Sequence, residues 1–475
     1  MQTIFDHGEY QDILAVLKNK DERVKIQNQL LKTNPSMTVV AAKLNIPGPI
    51  KNNKKIEAFF IAGLNKFEEM LLDAGIIFIS KKEWLDKKTG PERFYLVDRD
   101  AVMVKKITSS FEELKPNYRL FDLDVLTNDR GTVKLLSRSD ASQPARKCLI
   151  CERPAKECGR SRRHSVEQLQ EKVSDLIYGE LSYRQKVKTA DWLTQLAQRA
   201  LLYEVSAWPK PGLVDPVEHG AHLDMNIFTF INSSISLRNY LHQAALLGIM
   251  SQSTDLSLIF EELREYGKKA EKDMFAATDN VNTHKGAVFS LGVFVAATGY
   301  SLQHLRKFDS DNIRDIIKQM LKDLINDDLK HLSSKKNLTA GEKQYLKYGL
   351  SGIRGEAHAG YPTVFKYGLP TLLTSNYDWN SRILITFLEL ALHIEDSTLI
   401  KRAGDPAIQE WKNKEIKECL SLGGIRTKAG QQKLTEIEEK FTQQNLSLGG
   451  TADLLIVTIF LALVKEGLPD GLQNK

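Results

Sequence analysis

In the stretch RLFDLDVL, residues 119–126, two aspartates interrupt a run that otherwise has the content of a buried strand. In an extended chain residues two apart face the same way, so Asp122 and Asp124 present both carboxylates on one side, about 7 Å apart along the backbone. Leu123 and Val125 then turn the other way, toward a core. Two carboxylates at the edge of an apolar layer repel each other and are costly to bury unless a cation joins them. A hard divalent ion such as Mg²⁺ meets that need where phosphates are handled. The plain alternative is a strand end with both acids hydrated, and for a lone D-x-D the neighbourhood has to decide.

Two neighbouring motifs bear on that decision. LNIPGPIKNNKK, residues 44–55, follows a strand and opens a helix. Pro47, Gly48 and Pro49 preset a tight turn, the helix start offers N–H groups to a phosphate, and Lys51 adds a mobile charge. Alone this is an ordinary strand-to-helix turn; beside the paired acids it makes the phosphate side of a nucleotidyl-transfer site. Further on, RKCLICERPAKECGRSRRH carries Cys148, Cys151, Cys158 and His164. C-x₂-C is a zinc-knuckle spacing, and a third cysteine with a histidine completes a four-ligand set for a structural Zn²⁺, against the alternative of idle reduced thiols. Arg160, Arg162 and Arg163 form a basic cluster that reads first as a solvated face, and second as a holder of polyphosphate or of an acidic protein.

The second half is denser in unusual residues. ALLYEVSAWPKPGLVDPVEHGAHLDMNIFTF, residues 200–230, places Lys210, Asp215, His219, His222 and Asp224 around a Pro-Gly turn. NVNTHKGAVFSLG (280–292), GLSGIRGEAHAGYP (349–362), HIEDSTLIKRAG (393–404) and NLSLGGTADLL (445–455) each set glycine beside charge at a helix end. Glycine lets backbone N–H groups approach a ligand, while His284, Lys285, Arg354, Glu356, Asp396 and Asp453 supply charges suited to a nucleoside triphosphate and its metal. One such segment is a helix cap; five in one region predict a polar site within a helical bundle. TAGE, with Thr339 and Glu342, reads as a plain capping box.

The elements that must position these groups change character near residue 185. Before it, MTVVAAKLN (37–45), GIIFIS (75–80), RFYLVD (93–98) and RLFDLDVL read as strands between lysine-rich amphipathic segments, an α/β domain. After about Trp192 the period is helical, as in DNIRDIIKQMLKDLIN, which predicts an all-α domain. The charged helical segment 165–188 carries the join. A length of 475 residues calls for two or three domains. The net charge of +6 suits polyanionic ligands without arguing for nucleic acid. The start lacks a basic region followed by a continuous apolar stretch, and the run LLIVTIFLALV (454–464) is shorter than the roughly 18 residues of a membrane span. It reads as a buried helix. Four cysteines in so long a chain make no disulfide scaffold, so a reducing cytoplasm is expected, with neither membrane nor nucleic-acid partner.

Through LNIPGPIKN, TGPERFYLVD, RLFDLDVL, LSRSD and CLICERPAKECGRSRRH, the first part resembles the apo-citrate lyase phosphoribosyl-dephospho-CoA transferase family. Through PKPGLVD, GAHLDM, NTHKGAVFSLG, GIRGEAHAGYP and GGTADLL, the second resembles the triphosphoribosyl-dephospho-CoA synthase family. The resemblance spans nearly the whole chain and implies the fused form: a transferase over 1–183 with a nucleotidyltransferase-like α/β fold, and an all-α synthase over 184–475. It implies that the synthase joins the ribosyl carbon of ATP to the ribose hydroxyl of dephospho-CoA, releasing adenine. The transferase then lets a serine of the acyl carrier subunit attack the innermost phosphorus, releasing pyrophosphate. On that reading Asp122 and Asp124 hold Mg²⁺, as an aspartate pair does in related transferases. Glu356 or Asp224 stands near the sugar or nucleophile. Lys210, Lys285, Arg354 and Arg402, with His284 and Gly286, bind the nucleotide, and Asp396 with Asp453 binds metal. DSTLIKRAG and SLGGTADLL depart from the family pattern at Ser397, Thr398, Ala403 and Leu448. The alternatives are an RNA nucleotidyltransferase or zinc-containing nucleic-acid binder, and a non-catalytic scaffold of a lyase complex.

Overall fold

The computed structural model describes residues 3–325, 338, 340–374 and 376–468. It divides into two compact units, Met1–Gln185 and Lys186–Lys475. In the first unit the elements run α1 (Ile13–Thr33), β1 (Thr38–Leu44), α2 (Lys54–Asp73), β2 (Phe78–Trp84), β3 (Glu92–Val97), α3 (Ala101–Leu114), β4 (Phe121–Asp129), β5 (Thr132–Leu136) and α4 (Ala155–Arg160). Helix α5 (Val166–Ser206) follows as one unbroken helix, so the expected segment 165–188 is its first part.

The strands form one antiparallel sheet in the order β2-β3-β1-β4-β5. Its central strand, β1, is buried on both faces from Thr38 to Ala42. On one face Val39, Ala41, Phe94, Leu96 and Leu126 pack with Leu31 of α1. On the other, Val40, Ala42, Tyr95, Leu123 and Val125 pack with aromatic side chains of α2 and α3. The period of two thus sends Leu123 and Val125 into the larger core and leaves Asp122 and Asp124 on the opposite face. Phe121 anchors this register: its ring lies 5.2–6.0 Å from those of Phe59, Phe60, Phe111 and Tyr118. A Cβ on Gly63 would fall 2.1 Å from that ring, so α2 can pass there only as glycine.

In the second unit every described element is helical. Helices α6 (Ile227–Ser236), α7 (Arg238–Met250), α8 (Ser257–Ala277) and α9 (Lys285–Tyr300) come first. Among those that follow are Ala340–Tyr348, Gly352–His358, Ser397–Ala403 and Gly449–Glu466. Helix α9 and the helix Gly449–Glu466 are apolar on all sides because both are sunk in the core, where no polar face is needed. LLIVTIFLALV lies inside the second of these, as expected for a buried helix. Among the described residues one helix, Lys285–Leu305, is long and apolar enough to cross a membrane, and most of it is buried in this unit. Thr339 lies outside the described residues; Glu342 is buried in the first turn of the helix Ala340–Tyr348.

Candidate functional site

In the first unit the paired acids converge on one cation. Register places Lys43 of β1 directly opposite Asp122. The Lys43 Nζ lies 2.8 Å from Asp122 Oδ2 and 2.5 Å from Asp124 Oδ2. Burial pushes the Asp122 carboxyl up, but Lys43 and Arg146 outweigh it and hold the group below the usual carboxylate range. The Arg146 guanidinium donates to the Phe121 carbonyl at 3.1 Å, lies 3.5 Å from Asp122 Oδ1, and pairs with Glu112 at 2.7 Å. Glu112 is itself buried, bonded to Arg138 and accepting the Leu123 N–H. Lys43 and Arg146 therefore flank two carboxylates that remain partly open to solvent. The two carboxylates converge on one cation, the Lys43 ammonium.

The Gly48–Lys51 turn differs from the expectation. Helix α2 begins only at Lys54, and its first free amides, Lys55 and Ile56, are taken by the Asn53 side chain. Lys51 donates to the Ile46 carbonyl at 2.7 Å. Gly48, at φ +79°, sits under the Gln170 side chain of α5. Asn53 thus caps the first turn of α2, and Lys51 is tied to its own backbone. Cys148, Cys151, Cys158 and His164 do come together, with their four ligand atoms within 4.8 Å of one another. Arg160, Arg162 and Arg163 are exposed beside them.

In the second unit a cavity of about 480 Å³ collects Asp224, His284, Lys285, Gly286, Arg402 and Asp453 from four of the five glycine-marked segments. His284 is the N-cap of α9 and is buried. Its Nδ1 is 2.6 Å from Ser233 Oγ, which also accepts a hydrogen bond from Thr283 Oγ1 at 2.8 Å. Ser233 Oγ can donate to Nδ1 or accept from it, so the contact fits either tautomer of the ring, and Nε2 is a buried atom without a hydrogen-bond partner among the described residues. Burial, then Lys210, pushes the imidazole down to about 3, so the ring is neutral near pH 7. Burial, then Asp396 and Glu204, raises Asp453 well above the carboxylate range, and among the described residues no hydrogen-bond donor reaches it. A Cβ on Gly286 would stand 1.9 Å from Asp453 Oδ2; glycine there is what lets this carboxylate lie against the first turn of α9.

Four expected residues lie off the cavity wall. Lys210 is fully buried and bonded to the Glu204 carboxylate and carbonyl, both at 2.5 Å; an unpaired lysine could not be buried so deeply. Asp396 accepts from Thr398 and Leu399 N–H at one helix start and from Gly450 N–H, Thr451 N–H and Thr451 Oγ1 at another. Five donors saturate its oxygens, so it is a double cap and not a ligand set open to metal. Glu356 accepts the Thr363 N–H at 2.8 Å, and Arg354 stands behind Gly341. Arg402 lines the cavity while donating to Ala221, Asn445 and His222, tying two loops together. The wall also holds residues that the sequence did not single out. Glu204 lay inside the quoted run, next to the Pro-Gly turn; Gln344 and Thr283 carried no signal beyond proximity to a motif.

Known proteins align with both units. A family model described as CitX, apo-citrate lyase phosphoribosyl-dephospho-CoA transferase, matches residues 11–179. A second, CitG, described as ATP:dephospho-CoA triphosphoribosyl transferase, matches residues 190–471. Protein CitXG of Leuconostoc mesenteroides subsp. cremoris is 39% identical over 467 residues, covering 96% of this chain and 98% of its own. Protein CitXG of Haemophilus influenzae is 33% identical over 471 residues, 96% and 97% of the two chains. A probable 2-(5''-triphosphoribosyl)-3'-dephosphocoenzyme-A synthase of Lactiplantibacillus plantarum is 48% identical over 269 residues, 56% of this chain and 95% of its own.

Proposed function

This chain belongs to the CitXG family, transferases that make the citrate lyase prosthetic group and attach it to the apo acyl carrier subunit, and we propose how its residues divide that work. Residues 1–183 carry the transferase, with a nucleotidyltransferase-like site, and 184–475 the synthase. ATP and dephospho-CoA are the substrates, the acyl carrier subunit is the protein partner, and the four free thiols suit a reducing cytoplasm. The RNA nucleotidyltransferase alternative finds no support among the relatives.

In the synthase reaction the bond from the ribosyl carbon to adenine breaks, a bond to the dephospho-CoA hydroxyl oxygen forms, and the hydroxyl proton ends on adenine. Three needs follow: a donor for the leaving base, a base for the hydroxyl, and charge for the triphosphate. His284, neutral and on the cavity wall, serves the leaving purine. Asp224, exposed at the cavity wall, takes the hydroxyl proton. Lys285, paired with Glu271 and half exposed, and Lys401 meet phosphate. Asp453, without a hydrogen-bond donor among the described residues, would hold a Mg²⁺, whose charge would offset that of the phosphates.

In the transferase, Asp122 and Asp124 would hold Mg²⁺, whose chemistry is to offset charge on the phosphates and the departing pyrophosphate. Lys43, which bridges the two acids, supplies positive charge for the phosphates. Arg146 stays at the rim as a second fixed charge. The serine oxygen forms the new bond to the innermost phosphorus, pyrophosphate leaves, and the serine proton passes to an acid of the pair or to water.

The observation that carries the synthase assignment is the single cavity that gathers six charged, polar or glycine positions from four separate segments. Incubating the protein with ATP, Mg²⁺ and dephospho-CoA is expected to release adenine; adding the apo acyl carrier subunit then releases pyrophosphate. Folded protein that frees no adenine overturns the synthase reading.

A further inference from the structure

The stretch from Ser137 to Ser165 holds a fold with almost no core of its own. Only Ala141, Cys148 and Cys158 are buried along it. It nonetheless keeps a defined shape. A tight hairpin is closed by Cys148 N–H donating to the Arg153 carbonyl and Ala155 N–H to the Arg146 carbonyl, both at 2.8 Å. Helix α4 follows and presents Cys158, after which the chain turns back to bring in His164. So small a module with so little apolar burial needs a cross-link from outside the hydrophobic effect.

The side chains supply the means. Cys151 Sγ lies 3.4 Å from Cys158 Sγ and 3.3 Å from His164 Nε2, and all four ligand atoms lie within 4.8 Å of each other. The corners of a tetrahedron with zinc–sulfur bonds of about 2.3 Å and zinc–nitrogen bonds of about 2.0 Å are about 3.5–3.8 Å apart. The Ile150 and Cys151 amides hydrogen-bond the Cys148 sulfur. Two of the three cysteines are buried and the third is half-buried, so the donors face one another and not solvent.

We propose that Cys148, Cys151, Cys158 and His164 bind one structural zinc ion, and that the ion holds the hairpin so that Arg146 stays on Asp122. Binding displaces the three thiol protons to solvent and leaves no position open for catalysis. The second part follows from connectivity. Arg146 is the residue whose carbonyl closes the hairpin, and its guanidinium reaches Phe121, Asp122 and Glu112. From the other side Arg119 donates to the Cys148 carbonyl at 2.8 Å. The metal module therefore grips the chain immediately before and immediately after the start of β4. The Arg146 role rests on the transferase reading; the metal site does not.

The test uses the full chain purified under reducing conditions. Metal analysis is expected to find about one zinc per chain, and cobalt exchange to give thiolate charge-transfer and tetrahedral d–d absorption. Cys151→Ser and Cys158→Ser lose most of the metal with the circular dichroism unchanged, whereas His164→Cys retains it. Folded wild-type protein without zinc and without cobalt bands, or a Cys151–Cys158 disulfide under reducing conditions, overturns the site. Stripping zinc is expected to speed hydrogen exchange at the Cys148 and Ala155 amides and to lower pyrophosphate release at least tenfold, with adenine release within twofold. Unchanged exchange, or equal loss of both activities, overturns the positioning of Arg146.

Discussion

At the scale of residues, the two acids of β4 share one lysine. Lys43, Asp122 and Asp124 have side chains 17%, 30% and 28% exposed, so water screens the cluster in part and each acid contributes on the order of 1 kcal/mol through it. Asp122→Asn and Asp124→Asn should leave the melting temperature nearly unchanged, and adenine release too, while pyrophosphate release falls at least a hundredfold. A variant that still releases pyrophosphate at the wild-type rate removes the pair from the chemistry. In the second unit Gly286→Ala displaces the Asp453 carboxylate, because the added carbon would stand 1.9 Å from it. The flexible acid can move, so the fold survives and adenine release drops; equal activity in the alanine variant would show that Asp453 does not need its position. His284 allows a test by linkage. Its folded pKa, about 3, is below the ordinary 6.5, so its contribution to stability is present above pH 6.5 and is lost as pH falls toward 3. The stability difference between wild type and His284→Gln should shrink over that range, by up to about 1.4 kcal/mol per pH unit.

At the scale of elements, Asp396 shows how a sequence motif can be read correctly as special and wrongly as to its purpose. Its position before a helix in DSTLIKRAG was visible; that a second helix, Gly449–Glu466, starts on the same carboxylate was not, since the two lie far apart in the chain. Each cap is worth about 1–2 kcal/mol, so Asp396→Ala should lower the stability of the second unit by about 2–4 kcal/mol in metal-free buffer, measured by denaturant titration. A ligand role would instead leave metal-free stability alone. The period-two pattern made four strands legible, and with them the facing of Leu123 and Val125 against Asp122 and Asp124. Strand β5 was missed because it is short and exposed along four of its five residues, leaving no apolar alternation to read. Its signal was the turn before it, where Arg130 and Gly131 both take positive φ. Strand β2 runs later than GIIFIS suggested, since Ile76 turns into the core before pairing begins and the polar Lys81–Trp84 stretch completes the edge.

At the scale of the whole molecule, the two units have separate cores: Val173 and Ile177 of α5 join one, and Ala190 through Leu201 join the other. The change of character near residue 185 was legible because it is a change of period, from two to 3.6, and period is set by backbone geometry. The cavity was less so: its segments were each visible, but which of their charges face inward depends on packing across helices distant in sequence. Lys210 shows this, since its burial against Glu204 follows from a loop folding back on α5. Separate cores predict separable chemistry. An Asp122→Asn variant retains an intact synthase cavity, and a His284→Ala variant retains an intact pair of acids on β4. Neither alone should convert the apo acyl carrier subunit from ATP and dephospho-CoA at more than a few per cent of the wild-type rate. Mixed in equal amounts, they should restore conversion after a lag, because the first variant releases the triphosphoribosyl intermediate and the second consumes it. Mass spectrometry of the carrier reads the outcome directly. Failure of the mixture, with each variant competent in its own partial reaction, would mean that the intermediate passes within one chain and never reaches solution.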